Sequence, residues 1–308
     1  VGTLVAARGT AAGTPAPTTL PLAAKSTSWR AWLAVAAPLG HRRRPMSAPD
    51  TLFLKILLVP ALIASVTLVG RRYGQRVGGW LGSFPIVAGP ILFILAFENG
   101  AQFGAAAAQS AFIAIVPAMI FYVVYARLAV RRTWSVAAMF GILIWCLVAG
   151  LLWRLDLTIF LAAIAVVAAL WWSAAAMPEL GAPELTTNDQ LAAQVKASPH
   201  PLELPARMVT GALVTLITSE LGKHGGASIG GFASLFPSIG LVVAAFNHAR
   251  SGPAAAIHFL KGMTRGMWSV GTFCVTLTLA LPKIGLVAGF GLAVLVAVAT
   301  HAISRPRA

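Results

Sequence analysis

The sequence predicts an all-α protein that crosses a membrane many times. Three observations carry that prediction. Of 308 residues, 58% are hydrophobic and only 10% charged, against about a quarter charged in a soluble domain. Apolar runs of roughly 20 residues recur along the chain, each long enough to cross about 30 Å of hydrocarbon. Two stretches 152 positions apart also share one framework of glycines and prolines. Inside lipid the backbone has to satisfy its own hydrogen bonds, so the apolar runs are expected as helices.

In chain order, residues 1–45 stand apart, with Arg8, Lys25, Arg30, Arg42, Arg43 and Arg44, no acid, and only Trp32 to Leu39 continuously apolar. A signal peptide would have its small-residue cleavage site where the three arginines sit, and an Arg-rich, acid-poor transit peptide is a second reading. The favoured reading is an extension upstream of a natural start at Met46, too polar to offset its ordering entropy. Nine spans are expected after it, at roughly 51–69, 79–97, 106–126, 134–153, 157–174, 206–222, 228–247, 258–281 and 284–303. They group into a first four-helix repeat (46–155), a connector helix with a polar linker (156–205) and a second four-helix repeat (206–308). The linker is marked by five prolines between Pro178 and Pro205 and by Glu179, Glu184, Asp189 and Glu203.

Gly70, Gly74, Gly78, Gly79, Phe84, Pro85 and Gly100 recur as Gly222, Gly226, Gly230, Gly231, Phe236, Pro237 and Gly252. A single odd helix between two copies places the second upside down, a build common among transporters. Orientation by the positive-inside rule agrees with that. With the first helix starting outside, the inner side receives thirteen Lys and Arg and the outer side four, or ten if the extension's six are counted. The loop after the second helix carries Glu98 in one copy and the aligned Arg250 in the other. Inversion requires that the connector Leu157–Ala174 crosses the bilayer rather than lying on its surface.

The most specific local signal is the Gly-Gly-aromatic-x-x-x-Phe-Pro segment opening the second and seventh spans. Proline removes a helical hydrogen bond and clashes with the preceding turn, and backbone freed in lipid persists only when buried in protein or facing a cavity. Ser83, Pro85, Ser234, Pro237 and Ser238 are therefore substrate-binding candidates. The plainer reading is a packing kink with small residues at a helix interface.

Ionisable residues inside spans are the second signal. His258, Lys261 and Arg265 share one face of the eighth span and are candidates for holding a phosphate, a carboxylate or an anionic lipid head; snorkelling to the interface is the alternative. Glu220 is the candidate for a coupling proton, or else half of an interfacial ion pair with Lys223 or His224. Glu98 reads as a loop residue, and Asn247 and His248 add polar groups beside Arg250. No metal spacing, nucleophile elbow or phosphate loop is present, so no enzyme and no cofactor is expected. Cys146 and Cys274 are lone residues in apolar runs. The charge of +15 is scattered over short loops and lacks the contiguous basic face that nucleic acid requires.

Ile229-Gly230-Gly231-Phe232, Leu235-Phe236-Pro237-Ser238 and Gly266-Met267-Trp268-Ser269 make residues 207–305 resemble the GlpM-like family of small four-helix bacterial inner-membrane proteins. The first half looks like a more distant copy. The resemblance implies a multi-pass protein of the bacterial inner membrane and a tie to exopolysaccharide or envelope metabolism, and it supplies no catalytic residues. Two functions follow: a transporter or flippase-like permease for a small anionic or lipid-linked solute, and a non-transporting accessory protein of envelope assembly.

Overall fold

The computed structural model describes residues 48–155, 157–179, 202–223 and 226–305, with the backbone alone at 48–58 and 218–223. The N-terminal extension and most of the polar linker lie outside the described residues. Every element among the described residues is a helix, and six helical stretches are long and apolar enough to cross a membrane. In chain order the helices are α1 (Ala48–Tyr73), α2 (Gln75–Gly82), α3 (Ala88–Asn99), α4 (Ala101–Ala129), α5 (Trp134–Arg154) and α6 (Ile159–Ala176). They continue as α7 (Glu203–Lys223), α8 (Gly226–Ser234), α9 (Ser238–Ser251), α10 (Pro253–Ile284) and α11 (Leu286–Ile303).

The helix limits differ from the sequence expectation where glycine and proline act. The second expected span is two helices, α2 and α3, parted at 83–87, and the seventh is α8 and α9, parted at 235–237. Phe-Pro stands at both gaps. The expected loops before the third and eighth spans shrink to one residue each, Gly100 at φ 94° and Gly252 at φ 84°. A left-handed glycine stops one helix and starts the next with no further chain, so Glu98 sits in the last turn of α3 instead of a loop. Likewise Glu203 is the first residue of α7. An acid is favourable at a helix N-terminus, and Pro205 is tolerated within the first turn.

The long helices α4 (29 residues) and α10 (32 residues) form the core. Small side chains on α4, Ala105 to Ala108 and Ala111, are buried and let neighbouring backbones come close. Helix α2 packs on α10, and α8 packs on α4. A Cβ at Gly79 would collide with the Phe259 carbonyl oxygen, and one at Gly231 with that of Ala107. Both members of the first contact lie 152 residues from their counterparts in the second, with the partners exchanged. Helix α1 lies against α7, where Gly211 meets Ile63 and Val59.

Helix α6 runs beside α4 in the same direction. Gln109 Nε2 donates to Leu157 O (3.2 Å) at one end, and Arg127 Nε donates to Ala176 O (3.0 Å) at the other. The outward faces of α5, α6 and α11 are apolar and exposed, with Leu147, Leu151, Phe160, Ile164, Leu295 and Val298 among them. A surface of that kind is at home against acyl chains and not against water. The chain is a multi-pass α-helical membrane protein.

Candidate functional site

Both helix breaks open onto one cavity of about 60 Å³. The first break contributes Ser83, Phe84 and Pro85, the second Leu235, Phe236 and Pro237, and the wall between them is Met263, Met267 and Val270 of α10. The first residues of α3 and α9, Ala88 and Ser238, also line it. Two helix N-termini therefore face one space. Each brings the positive end of a helix dipole, which favours anions. Of the first-turn N–H groups, Gly89 N donates to Pro85 O (2.8 Å) and Ser238 N to Phe236 O (2.7 Å), and Pro90 has none. The C-terminal ends of α2 and α8, at Gly82 and Ser234, line the same space.

The serines at the breaks are engaged with the backbone. Ser83 Oγ donates to Trp80 O (2.6 Å) and Ser234 Oγ to Gly231 O (2.7 Å), so each closes a carbonyl at the end of a half-helix. Gly266 lies directly on Ser83, and a Cβ there would strike the Ser83 hydroxyl. Tyr122 lies against Gly240 on the cavity's far wall.

Five of the sequence candidates thus come together: Ser83, Pro85, Ser234, Pro237 and Ser238. The basic stripe does not join them. His258 and Lys261 are half-buried and Arg265 is exposed, whereas the cavity-facing side of α10 carries only the two methionines and Val270. The face of α10 bearing the stripe continues to Trp268, which meets Trp171 of α6 edge to face. Glu220 belongs to α7, and its side chain lies outside the described residues.

Two clusters escaped the sequence reading. At one end of the bundle the Glu203 carboxylate, nearly buried, meets Arg207 Nη2 (2.6 Å), Arg71 Nη2 (3.0 Å) and Arg250 Nε (3.7 Å). Arg207 is 2% exposed. It also donates to Asn247 Oδ1 (2.9 Å) and lies over the Phe246 ring at 5.2 Å, while Asn247 Nδ2 donates to Gln75 Oε1 (2.8 Å). One carboxylate so ties together α1, α7 and α9, and Asn247 adds α2. Glu203 and Arg207 stand at i and i+4, the spacing of a helical ion pair, but the placement of the pair beside Arg71 and Arg250 is a long-range contact with no local signal.

The second cluster surrounds His301 of α11. Its ring stacks on Trp80 (centroids 4.1 Å, planes 15° apart) and meets Phe84 edge to face at 5.1 Å. Nδ1 lies 3.1 Å from Ser269 Oγ, and Trp80 Nε1 donates to Ser304 Oγ (3.2 Å). A lone histidine in an apolar run gives no sequence hint of such company. Its one signal is that it is the only ionisable residue in the last span.

Between α5 and α8 lies a second, apolar hollow of about 300 Å³, walled by Trp145, Ala149, Trp153, Phe232 and Phe236. Phe236 belongs to both hollows. Among the described residues no group of three metal-ligating side chains is present.

No protein-family model matches the chain, and no curated protein or solved structure shows significant similarity to it.

Proposed function

We propose that this protein is a carrier for a small anion, built from two inverted four-helix repeats around the cavity where the broken helices meet. The observation that carries the reading is the exchanged contact: α2 on α10 through Gly79 and Phe259, α8 on α4 through Gly231 and Ala107. Contacts in which i meets j′ and i′ meets j belong to a two-fold relation. With α6 crossing as the single unmatched span between the two repeats, that axis lies in the membrane plane, as in carriers that work by alternating access. Two half-helix N-termini at the cavity favour an anionic substrate. A cavity of about 60 Å³ holds water or a small ion, so any larger solute requires the break segments to part.

The apolar hollow sharing Phe236 favours a second reading in which the anion is lipid-linked and its chain rests between α5 and α8. Under the GlpM-like resemblance the bacterial inner membrane is the proposed location. The competing proposal is an accessory protein of envelope assembly, without transport.

Cysteine accessibility separates these readings. Ser238→Cys in a background lacking Cys146 and Cys274, reconstituted in proteoliposomes, is expected to react with an impermeant thiol reagent from either side. Inorganic phosphate should slow that reaction in a small-anion carrier, and phosphatidylglycerol in the bilayer should slow it in a lipid-linked one. Reaction from one side only, or from neither, favours the accessory protein.

A further inference from the structure

We infer that His301 is a proton-binding site of this carrier, an imidazole whose bare Nε2 accepts a proton one aromatic ring away from the central cavity. The inference rests on the carrier reading for its role but on its own geometry for the site. The Ser269 hydroxyl donates to Gly266 O at 2.7 Å, which uses its only hydrogen. With that hydrogen used, Ser269 Oγ faces His301 Nδ1 as an acceptor at 3.1 Å, and on this pattern we assign the ring proton to Nδ1. Nε2 is left as a lone pair. It is buried and has no partner among the described residues, in a side chain 7% exposed.

A bare acceptor in such a place is costly for packing alone. The other half of the molecule shows that packing does not require it. The position 152 residues earlier is Ala149, beside Phe232 where α11 has His301 beside Trp80. There the space is the apolar hollow. The repeat therefore tolerates a small side chain here, and the histidine is particular to one half.

One contact of the ring favours a charged form. Helix α2 presents Trp80, whose face stabilises a cation stacked on it. The break presents Phe84, which lines the cavity on its other side. Helix α10 presents Ser269, and Arg305, with its guanidinium 6.0 Å from the Trp80 centroid, is the fixed charge that acts on the ring among the described residues. No described carboxylate faces the ring. A proton taken up at Nε2 places positive charge behind Phe84 and beside the first break, which favours an anion in the cavity. Release of the proton removes that attraction. Proton and anion then travel together.

Two measurements on the full chain in lipid test this. Tryptophan fluorescence followed from about pH 4 to pH 8 is expected to show a reversible one-proton quench, as the imidazolium forms against Trp80. The quench should be absent in His301→Gln and in Trp80→Phe, the latter leaving the histidine in place should the former fold poorly. A quench of unchanged amplitude in both variants, or none in the parent protein, overturns the site. The labelling rate of Ser238→Cys, taken at each pH as a ratio to that of the exposed Asn99→Cys so that the thiolate's own pH dependence cancels, should change about fivefold or more across the same range, and the ratio should become flat when His301→Gln is added. Two-sided labelling whose rate ratio keeps its pH dependence in His301→Gln overturns the coupling and leaves the carrier standing. One-sided labelling removes the carrier, and the quench alone then decides whether His301 binds a proton.

Discussion

Glu203 meets three guanidiniums with a single carboxylate, and the three contacts are not of equal worth. The Arg207 pair is buried on both sides, so removing the acid strands a charge away from water; such losses run to about 3–5 kcal/mol. Arg250 is two-fifths exposed and sits 3.7 Å away, and exposed pairs contribute about 1 kcal/mol or less. Glu203→Gln should therefore lower the unfolding temperature in detergent by several degrees, while Arg250→Gln leaves it nearly unchanged. Equal effects of the two substitutions would show that the cluster is a solvated surface patch. Glu203 itself was easy to misplace. It follows a proline-rich polar stretch, and nothing local says that the helix has begun until Arg207 comes back to meet it.

The elements were legible where glycine and proline punctuate them. Phe84-Pro85 and Phe236-Pro237 marked both breaks, and the apolar runs marked the long helices. The ends were less legible: hydrophobicity fades before Asn99 and Ala101, yet the helices run on until one left-handed glycine turns the chain. Which half-helix packs on which long helix was not legible at all, because it depends on contacts between residues far apart in sequence. Those contacts make a sharp prediction. At Gly79 and Gly231 an added methyl runs into backbone carbonyls that cannot rotate away, and overpacking of this kind costs about 1–3 kcal/mol or more. Gly79→Ala and Gly231→Ala should each destabilise by a similar amount, whereas Gly150→Ala, with open space at the same atom, should not. Thermal unfolding of the three variants checks this. A large difference between the first two would speak against the two-fold relation.

At the scale of the whole molecule, the uneven share of Lys and Arg between the two sides of the nine expected spans, and the exchange of Glu98 for Arg250 between the copies, point to inversion in the sequence. The substrate side was less legible. The basic stripe of His258, Lys261 and Arg265 drew attention because charge in an apolar run is conspicuous, but the cavity is built from backbone ends, serines and methionines that hydropathy does not distinguish from packing. The central claim is that the two halves face opposite ways. Asn99 and Ser251 stand one residue before the equivalent glycines Gly100 and Gly252, and both are exposed. Asn99→Cys and Ser251→Cys, each in a background without Cys146 and Cys274, should be labelled by an impermeant maleimide in intact cells and in inverted vesicles. The account predicts that Asn99→Cys reacts only from outside and Ser251→Cys only from inside; reaction of both from the same face would contradict it.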